Sequence, residues 1–501
     1  MNAQTKNVHV GVFDHSGVAL GGGTLVAAHL ASLFSSFYTV DLIRDWSGFN
    51  IEQVSSFFSL DLSGVNVRSC EDMWESFTVP GRYSLRQQLE RSRAITEPYD
   101  LFIYSGHWVP PFCYAPHGLI YCHFPTQLPG HQDLLATDAR WMQRNSVDRL
   151  LRGNAYLFAR QACLNGYDHI LANSAFTASW IERRWGVRAE VVYPPVEMEV
   201  PDAEKHNRIV SIGRFFGKEP RCKGHLAQIA AFRAFVSQVP ENWELWMIGS
   251  CYSETENAYL ASVQDAARDL PVRFLVNAER KDVLGALSGA KVFWHTAGLF
   301  DKKNEHPGYA EHFGMATVEA MRARCVPVVV NSGGQSEIVE HGLSGFVCED
   351  IAEIVADTVA IANNPARLAA FAGAALCRSK HFSGAAFDLR VFEVLTRRSS
   401  QRHKRWGTHA ALNMLSLPAT VSHALGSHLR QTQPPPVAVP PITNPVTNFG
   451  PLGTNVAPVA LPVSDDPKAH SPRLPSVTAE TAEPITESVP ASVLQRRTFP
   501  E

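Results

Sequence analysis

Short apolar runs alternate with amphipathic stretches along most of this sequence, and this alternation predicts its architecture. Each run is three to seven residues long, and several are followed by apolar positions at helical spacing. Continuous apolar runs are typical of strands that helices cover on both faces of a parallel sheet. The pattern therefore predicts an α/β fold, with strands at 8–13, 38–43, 100–104, 118–122, 208–213, 243–249, 272–276, 291–295 and 328–330.

The stretch 308–348 has the most informative order of elements. Gly314 stands where a helix begins, and apolar residues then recur at positions i, i+3 and i+7 along one side. Pro327 ends that helix, and the three valines after it predict a buried strand. Gly333 and Gly334 allow a tight turn into a second, short helix. The stretch is thus predicted as loop, helix, strand, turn, helix and strand.

Two carboxylates in this stretch are the main candidates for chemistry. Glu311 precedes the predicted helix and Glu319 lies in its second turn, about 10 Å further along the axis. Between them lie the amide groups of Phe313, Gly314 and Met315, at the end of the helix that binds phosphate. This order matches the sugar, diphosphate and ribose of a nucleotide-sugar. Taken alone, the two glutamates are better interpreted as a helix-capping residue, Glu311, and a solvated helix residue, Glu319. The surrounding stretch favours a ligand site instead.

The N-terminal part offers a glycine-rich segment. A predicted strand, three glycines that end with Gly22 and Gly23, and a helix from Thr24 form the opening of a nucleotide-binding unit. The spacing is not GxGxxG, so a dinucleotide site is not indicated. Glycines allow a ligand to approach the backbone closely, and a flexible loop is an equally good interpretation of this segment alone.

Polar side chains follow two of the predicted strands. His123 comes directly after the strand at 118–122, at the edge of a sheet where ligands bind. Arg214 and Lys223 follow the strand at 208–213 and could neutralise a departing diphosphate. The loop between these two cations also contains Arg221. The alternatives are a structural histidine and unrelated surface charges.

Length and composition agree with a soluble protein of several domains. The chain has 501 residues, of which 45% are hydrophobic and 19% charged, and its net charge of −3 argues against nucleic-acid binding. Nine scattered cysteines without a CxxC pair indicate neither a zinc site nor disulfides, which fits a cytoplasmic location. We predict no signal peptide and no membrane-spanning helix.

Prolines mark the predicted domain boundaries. Pro194 and Pro195 fit a hinge, and about half of the 32 prolines fall after residue 431, where disorder is expected. We predict an N-terminal Rossmann-like domain at 1–198, a second at 199–376, a crossover helix at 377–398 that packs on the first domain, and a tail at 399–501 that is mostly disordered from 431.

The segment EHFGMATVEAM, followed by PVVVNSGGQSEIV, resembles the signature of the family-4 retaining glycosyltransferases of GT-B fold. HFPT, YPPV and the order Gly-Arg, loop, Lys-Gly are similar to the same family, and the resemblance covers residues 7–396. It implies two Rossmann-like domains with the nucleotide-sugar in the cleft between them. The Pro-rich C-terminal tail lies outside it.

The resemblance also implies a role for each candidate residue. Glu311 and His123 would be catalytic, the first holding hydroxyls of the donor sugar and the second positioning that sugar from the other domain. Glu319 would hold the ribose. No metal and no cofactor would be required, because the departing phosphate takes the proton of the acceptor. The remaining donor-binding residues would be Gly22, Gly23, Arg214, Lys223, Asn277, Phe313, Gly314 and Met315.

These motifs together are similar to those of the α-1,2-mannosyltransferases that extend lipid-linked oligosaccharides. This similarity favours GDP-mannose as the donor, with UDP-glucose as the alternative. A glycan or lipid-linked saccharide would be the acceptor. Five arginines in a predicted helix at 139–165 could contact the inner face of a membrane, although a solvated face is the simpler interpretation. A non-catalytic scaffold and a nucleotide-sugar epimerase or oxidoreductase are alternatives, the latter disfavoured by the missing GxGxxG.

Overall fold

The structure is a computed structural model. It describes eight segments of the chain, and the predicted tail, the loop around Arg221 and nearly all of the predicted basic helix lie outside them. The described segments are 8–15, 20–44, 49–70, 85–126, 163–201, 203–217, 222–300 and 306–396.

Within the described residues, the first domain is a parallel sheet of seven strands in the order β3-β2-β1-β4-β5-β6-β7. Every paired strand runs parallel to its neighbour, as the apolar runs predict. The strands are β1 His9–His15, β2 Thr39–Arg44, β3 Val65–Ser69, β4 Leu101–Gly106, β5 His117–Cys122, β6 His169–Ala172 and β7 Glu190–Val191. The helices are α1 Gly22–Ser35, α2 Ile51–Phe58, α3 Leu85–Thr96 and α4 Ala175–Trp185.

Helices cover both faces of this sheet. Val10 and Val12 of β1 are buried in one cluster with α1, whereas Phe13 is buried in a second cluster on the opposite face. Tyr99 and Trp185 belong to that second cluster. Because successive side chains of a strand point to opposite faces, an apolar run without alternation is required here.

The second domain has a parallel sheet of six described strands in the order β10-β9-β8-β11-β12-β13. The reversal of strand order beside β8 is typical of Rossmann-like sheets, which bind ligands beyond the carboxyl ends of their strands. The strands are β8 His206–Ile212, β9 Glu244–Gly249, β10 Val272–Val276, β11 Ala290–His295, β12 Val326–Val330 and β13 Phe346–Cys348. The helices are α5 His225–Val236, α6 Glu254–Ala266, α7 Arg280–Ser288, α8 Met315–Arg322, α9 Gln335–Ile338, α10 Ile351–Ala362 and α11 Pro365–Ser379.

The last described helix, α12 Gly384–Thr396, belongs by its contacts to the first domain. Phe387 and Val391 are buried in the same cluster as α1. Asp388 accepts a hydrogen bond from His29 of α1 at 2.8 Å. The chain therefore returns from the second sheet to the first, and both domains are tied together at this point.

Candidate active site

The site is organised around the start of α8, the helix that the sequence predicts after Gly314. Gly314 adopts φ 118° and ψ 55°, and no side chain caps the helix. A Cβ atom at this position would lie 2.8 Å from Nε2 of Gln335. Glycine is therefore required both by the backbone conformation and by the space. The first amide groups of α8 have no partner within the helix, and with the helix dipole they favour an anion.

Glu311, just before this helix, is held by two side chains, one just before α5 and one at the end of β11. Its Oε2 lies 2.7 Å from Nζ of Lys223 and 3.2 Å from Nε2 of His295, at the end of β11. The side chain of Glu311 is 23% exposed, so part of the carboxylate can still meet a ligand. Burial acts to raise the pKa of Glu311, but Lys223 and His295 together hold that pKa well below its usual range. Glu311 is therefore an ionised hydrogen-bond acceptor at neutral pH.

A chain of buried hydrogen bonds orients His295. Nε2 of Gln335 lies 3.2 Å from Nδ1 of His295, and the hydroxyl of Thr317 donates to Oε1 of Gln335 at 2.9 Å. Because the amide nitrogen of Gln335 donates, Nδ1 of His295 accepts this hydrogen bond. Nε2 of His295 therefore carries the proton, which faces Glu311. This arrangement presents the imidazole to Glu311 as a donor.

The backbone of Lys223 is fixed by residues of the second domain as well. The hydroxyl of Thr296 donates to the carbonyl oxygen of Lys223 at 2.6 Å, and Nε2 of Gln228 donates to that hydroxyl at 2.8 Å. Gly333, at φ 66°, approaches so closely that a Cβ atom would lie 1.9 Å from the carbonyl oxygen of Glu311. Lys223 and Glu311 are thus anchored through their main chains, which leaves their charged ends facing each other.

The first domain approaches the same helix start. The ring of Phe124 stacks on that of His312 with centroids 3.9 Å apart and planes inclined by 4°. A Cβ atom on Gly22 would lie 2.5 Å from the sulfur of Met315, the first residue of α8. Residues that follow β5 and residues that begin α1 are therefore in contact with residues 312–315 of the second domain.

His123 lies beneath this contact and is buried. Its Nε2 is 3.0 Å from the hydroxyl of Ser105, and its ring lies 5.1 Å from that of His107. Burial, with a smaller effect of His107 and His312, lowers the pKa of His123 well below its usual value. Burial also lowers the pKa of His312 to about 4. Both imidazoles are neutral at neutral pH, so they can serve a hydroxyl as donor or acceptor.

Comparison with known proteins identifies the second domain. Residues 197–369, which include Glu311, Lys223 and the start of α8, match the family described as "Glycosyl transferases group 1". This is a group 1 glycosyltransferase domain. The match ends before α12 and does not extend into the first sheet.

Solved structures show the fold of the two domains together. The Anabaena protein HepE in complex with UDP-glucose is 15% identical, with a TM-score of 0.52 over 77% of this chain and 99% of that one. A glycosyltransferase from Rickettsia africae is 13% identical, with a TM-score of 0.55 over 78% of this chain and 98% of that one. The two Rossmann-like domains form a GT-B fold, as the sequence motifs predict.

Curated relatives match about half of this chain or somewhat more. The Xenopus laevis GDP-Man:Man(3)GlcNAc(2)-PP-Dol alpha-1,2-mannosyltransferase is 28% identical over 59% of this chain and 64% of its own length. The human protein of the same name is 28% identical over 47% of this chain and 52% of its own length. Human alpha-1,3/1,6-mannosyltransferase ALG2 is 28% identical over 46% of this chain and 55% of its own length. The chain thus spans between about half and two thirds of the length of these relatives.

Three of the predicted donor-binding residues are bonded to other groups of the protein. Arg214 pairs with Glu256 at 3.0 Å, and Glu319 pairs with Arg280 of α7 at 2.7 Å. Asn277, at φ 52°, uses its side-chain amide to bridge to the backbone of residue 251, with bonds of 2.9 and 3.0 Å. Their contacts with a donor stay predictions.

The position of Gly22 and Gly23 differs from the sequence-based prediction. The sequence predicts a loop with the helix starting at Thr24, but α1 begins at Gly22 after Gly21 at the N-cap. The first turn of a helix, rather than an irregular loop, therefore contacts α8 at Met315. The difference is physical: glycines lower helix propensity, but the following apolar residues are buried and stabilise the first turn.

Sequence reasoning missed three residues that shape the glycosyltransferase domain. His295 contacts Glu311 directly, and Gln335 orients His295. Arg280 faces Glu319. The sequence did contain a signal for His295, because this residue ends a buried strand. His123 directly follows such a strand, and ligands bind at that edge of a parallel sheet.

Proposed function

We propose that this protein is a retaining mannosyltransferase that moves mannose from GDP-mannose to a lipid-linked glycan. The observation that carries the proposal is the ionised Glu311, held by Lys223 and His295 beside the uncapped start of α8. This group lies within the glycosyltransferase domain. The names of the relatives favour mannose and guanosine diphosphate over glucose and uridine diphosphate.

The proposed roles follow from the chemistry of each group. Glu311 accepts hydrogen bonds from hydroxyls of the donor sugar, and His123 approaches that sugar from the first domain. Lys223 and Arg214 neutralise the diphosphate, together with the helix-start amide groups of Phe313, Gly314 and Met315. Glu319 binds the ribose hydroxyls once Arg280 has released it. Gly22 and Gly23 present amide groups to the donor or the acceptor, and Asn277 lies beside the base.

The proposed reaction proceeds on one face of the sugar. The bond between C1 and the phosphate oxygen breaks, and a bond between C1 and the acceptor oxygen forms on the same side. The acceptor proton passes to the departing phosphate, so the protein need not supply a base. Positive charge and helix-start amide groups stabilise the diphosphate as negative charge develops on it. We propose that neither a metal nor a cofactor takes part.

The acceptor and the location rest on the relatives. Two of their names include Man(3)GlcNAc(2)-PP-Dol, so we propose an acceptor whose saccharide is carried on a lipid diphosphate. Among the described helices, none combines the length and the apolar character needed to cross a bilayer. Because the proposed acceptor is carried on a lipid, we propose peripheral contact with the cytoplasmic face of a membrane.

A thermal-shift screen over GDP-, UDP- and ADP-sugars tests the proposed donor. At a ligand concentration of about 100 times Kd, binding stabilises the folded protein by about 2.7 kcal/mol, which raises the melting temperature measurably. GDP-mannose should give the largest shift, and transfer to a lipid-linked acceptor should retain the anomeric configuration in the product NMR spectrum. Glu311→Gln should abolish transfer. A shift with UDP-glucose alone would refute the mannosyl assignment, and no shift with any sugar nucleotide would refute the function.

A further inference from the structure

A carboxylate of the second domain caps a helix of the first. Glu337, in the short helix α9, accepts a hydrogen bond from the amide group of Ala175 at 2.7 Å and from that of Phe176 at 2.8 Å. These are the first two amide groups of α4, which have no partner inside their own helix. The third, that of Thr177, is capped by the hydroxyl of Ser174 within the first domain. The cap of α4 is therefore complete only when both domains contribute.

The same helix start is bonded to the loop that carries Glu311. The hydroxyl of Ser174 donates to the carbonyl oxygen of His312 at 2.6 Å. From the other side, the amide group of Gly334 donates to the carbonyl oxygen of Glu311 at 2.8 Å, and Gly334 lies three residues before Glu337. The backbone of Glu311 and His312 is thus held from the first domain and from the segment that leads to Glu337.

The first domain connects this helix start to His123. The side chain of Asn173, next to Ser174, donates to the carbonyl oxygen of His123 at 2.8 Å. Residues 173–176 therefore contact His123, His312 and Glu337. Two residues that we propose to face the donor sugar, His123 and Glu311, depend on the position of this one helix start.

Glu337 is itself held firmly in place. The hydroxyl of Tyr193, in the segment between the domains, donates to its carboxylate at 3.1 Å. The guanidinium of Arg378 donates to the carbonyl oxygens of Glu337 at 2.7 Å and Ile338 at 3.1 Å. Burial, with the carboxylate of Glu337 as the next cause, raises the pKa of Tyr193 to about 12, so its hydroxyl remains protonated and donates. The carboxylate is thereby presented to α4 with a fixed orientation.

From these contacts we propose that Glu337 is a positioning residue, which aligns His123 and Glu311 by capping α4 across the domain boundary. The proposal rests on the proposed transferase activity, because it concerns the alignment of that site. A charged acceptor on two amide groups at a helix start is stronger than a neutral hydrogen bond. Glutamine in its place offers one carbonyl oxygen to two donors and turns its own amide group toward one of them.

Hydrogen exchange tests the cap without any assay of activity. In Glu337→Gln, amide exchange at Ala175 and Phe176 should accelerate about 10- to 100-fold, the factor that corresponds to losing a charged acceptor. Exchange at Thr177, which Ser174 caps, should change far less. Glu182→Gln is the matched control, because the side chain of Glu182 is 61% exposed near the other end of α4, in a pair with Arg188, and its replacement should leave all three amide groups as they are.

Kinetics tests whether the cap positions the site. In Glu337→Gln, kcat for mannosyl transfer should fall about tenfold, while the Kd of GDP-mannose from calorimetry changes less than about twofold, since the donor contacts lie mainly in the second domain. Glu182→Gln should keep both values. Unchanged exchange at residues 175 and 176 would overturn the proposal, and so would faster exchange with unchanged kcat. A Kd that weakens as much as kcat falls would show a purely structural role. If the wild-type protein transfers no sugar, the proposed function is refuted. Faster exchange in Glu337→Gln would then still show that Glu337 caps α4, but its role in positioning a transferase site would be refuted as well.

Discussion

Replacement of Lys223 by methionine tests the electrostatics of the site. Lys223 and His295 hold the pKa of Glu311 below its usual range, although burial opposes them. A group whose pKa is lowered by folding contributes stability above its unfolded pKa, about 4.3 for glutamate, and loses that contribution as the pH falls through the folded pKa. Without Lys223, burial is opposed by His295 alone, and the pKa of Glu311 rises. Lys223→Met should therefore lose stability mainly at neutral pH.

The magnitude follows from the exposure of the pair. Removing one partner of a fully buried ion pair costs about 3–5 kcal/mol. Here the side chains of Lys223 and Glu311 are 28% and 23% exposed, so water compensates part of the loss. His295 also keeps its contact with the carboxylate. We expect a cost of about 1–3 kcal/mol at pH 7.5, which shrinks toward pH 4 as Glu311 takes up a proton.

Urea unfolding of the wild type, Lys223→Met, Glu311→Gln and the double variant gives the measurement. The double-mutant cycle should yield a coupling of about 1–3 kcal/mol between the two side chains at pH 7.5. Lys281→Met is the control, because Lys281 is 77% exposed in its pair with Glu279 and should change nothing measurable. A coupling below about 0.5 kcal/mol, or a cost that grows on acidification, would refute the reasoning.

Three further predictions concern the donor. Gly22→Ala should lower transfer because its methyl group would meet the sulfur of Met315. The control Gly373→Ala, in open space on α11, should keep activity and add about 0.5–1 kcal/mol of stability. Equal activity of the two variants would contradict the contact between Gly22 and Met315. Glu319→Ala should weaken donor binding about tenfold in calorimetry by removing a charged acceptor, and an unchanged Kd would mean that Arg280 keeps Glu319 from the ribose. Transfer should persist in EDTA, and its complete loss would contradict the proposed metal independence.

The sequence predicted the framework well because the framework depends on local patterns. The valines after Pro327 lie in β12, and α8 begins after Gly314, since apolar runs and glycine conformations are properties of adjacent residues. The sequence pattern predicts the start of α1 at Thr24, two residues after its start at Gly22 in the structure, because glycines weaken a helix signal that burial then overrides.

Contacts between distant residues could not be predicted from such patterns. Glu337 and Ala175 are 162 positions apart, and neither looks unusual alone. The pairing of Glu319 with Arg280 likewise depends on how α7 packs beside α8. His295 could have been suspected from its place at a strand end, but its contact with Glu311 depends on where the start of α8 lies relative to the end of β11.

A crystal structure of the protein with GDP-mannose tests the central claim most directly. We predict that diphosphate oxygens lie about 3 Å from the amide groups of Gly314 and Met315, with a sugar hydroxyl on Glu311 at a similar distance. Lys223 should remain beside both. A donor bound elsewhere, or one whose diphosphate lies away from the start of α8 while Glu311 contacts only protein, would contradict the account.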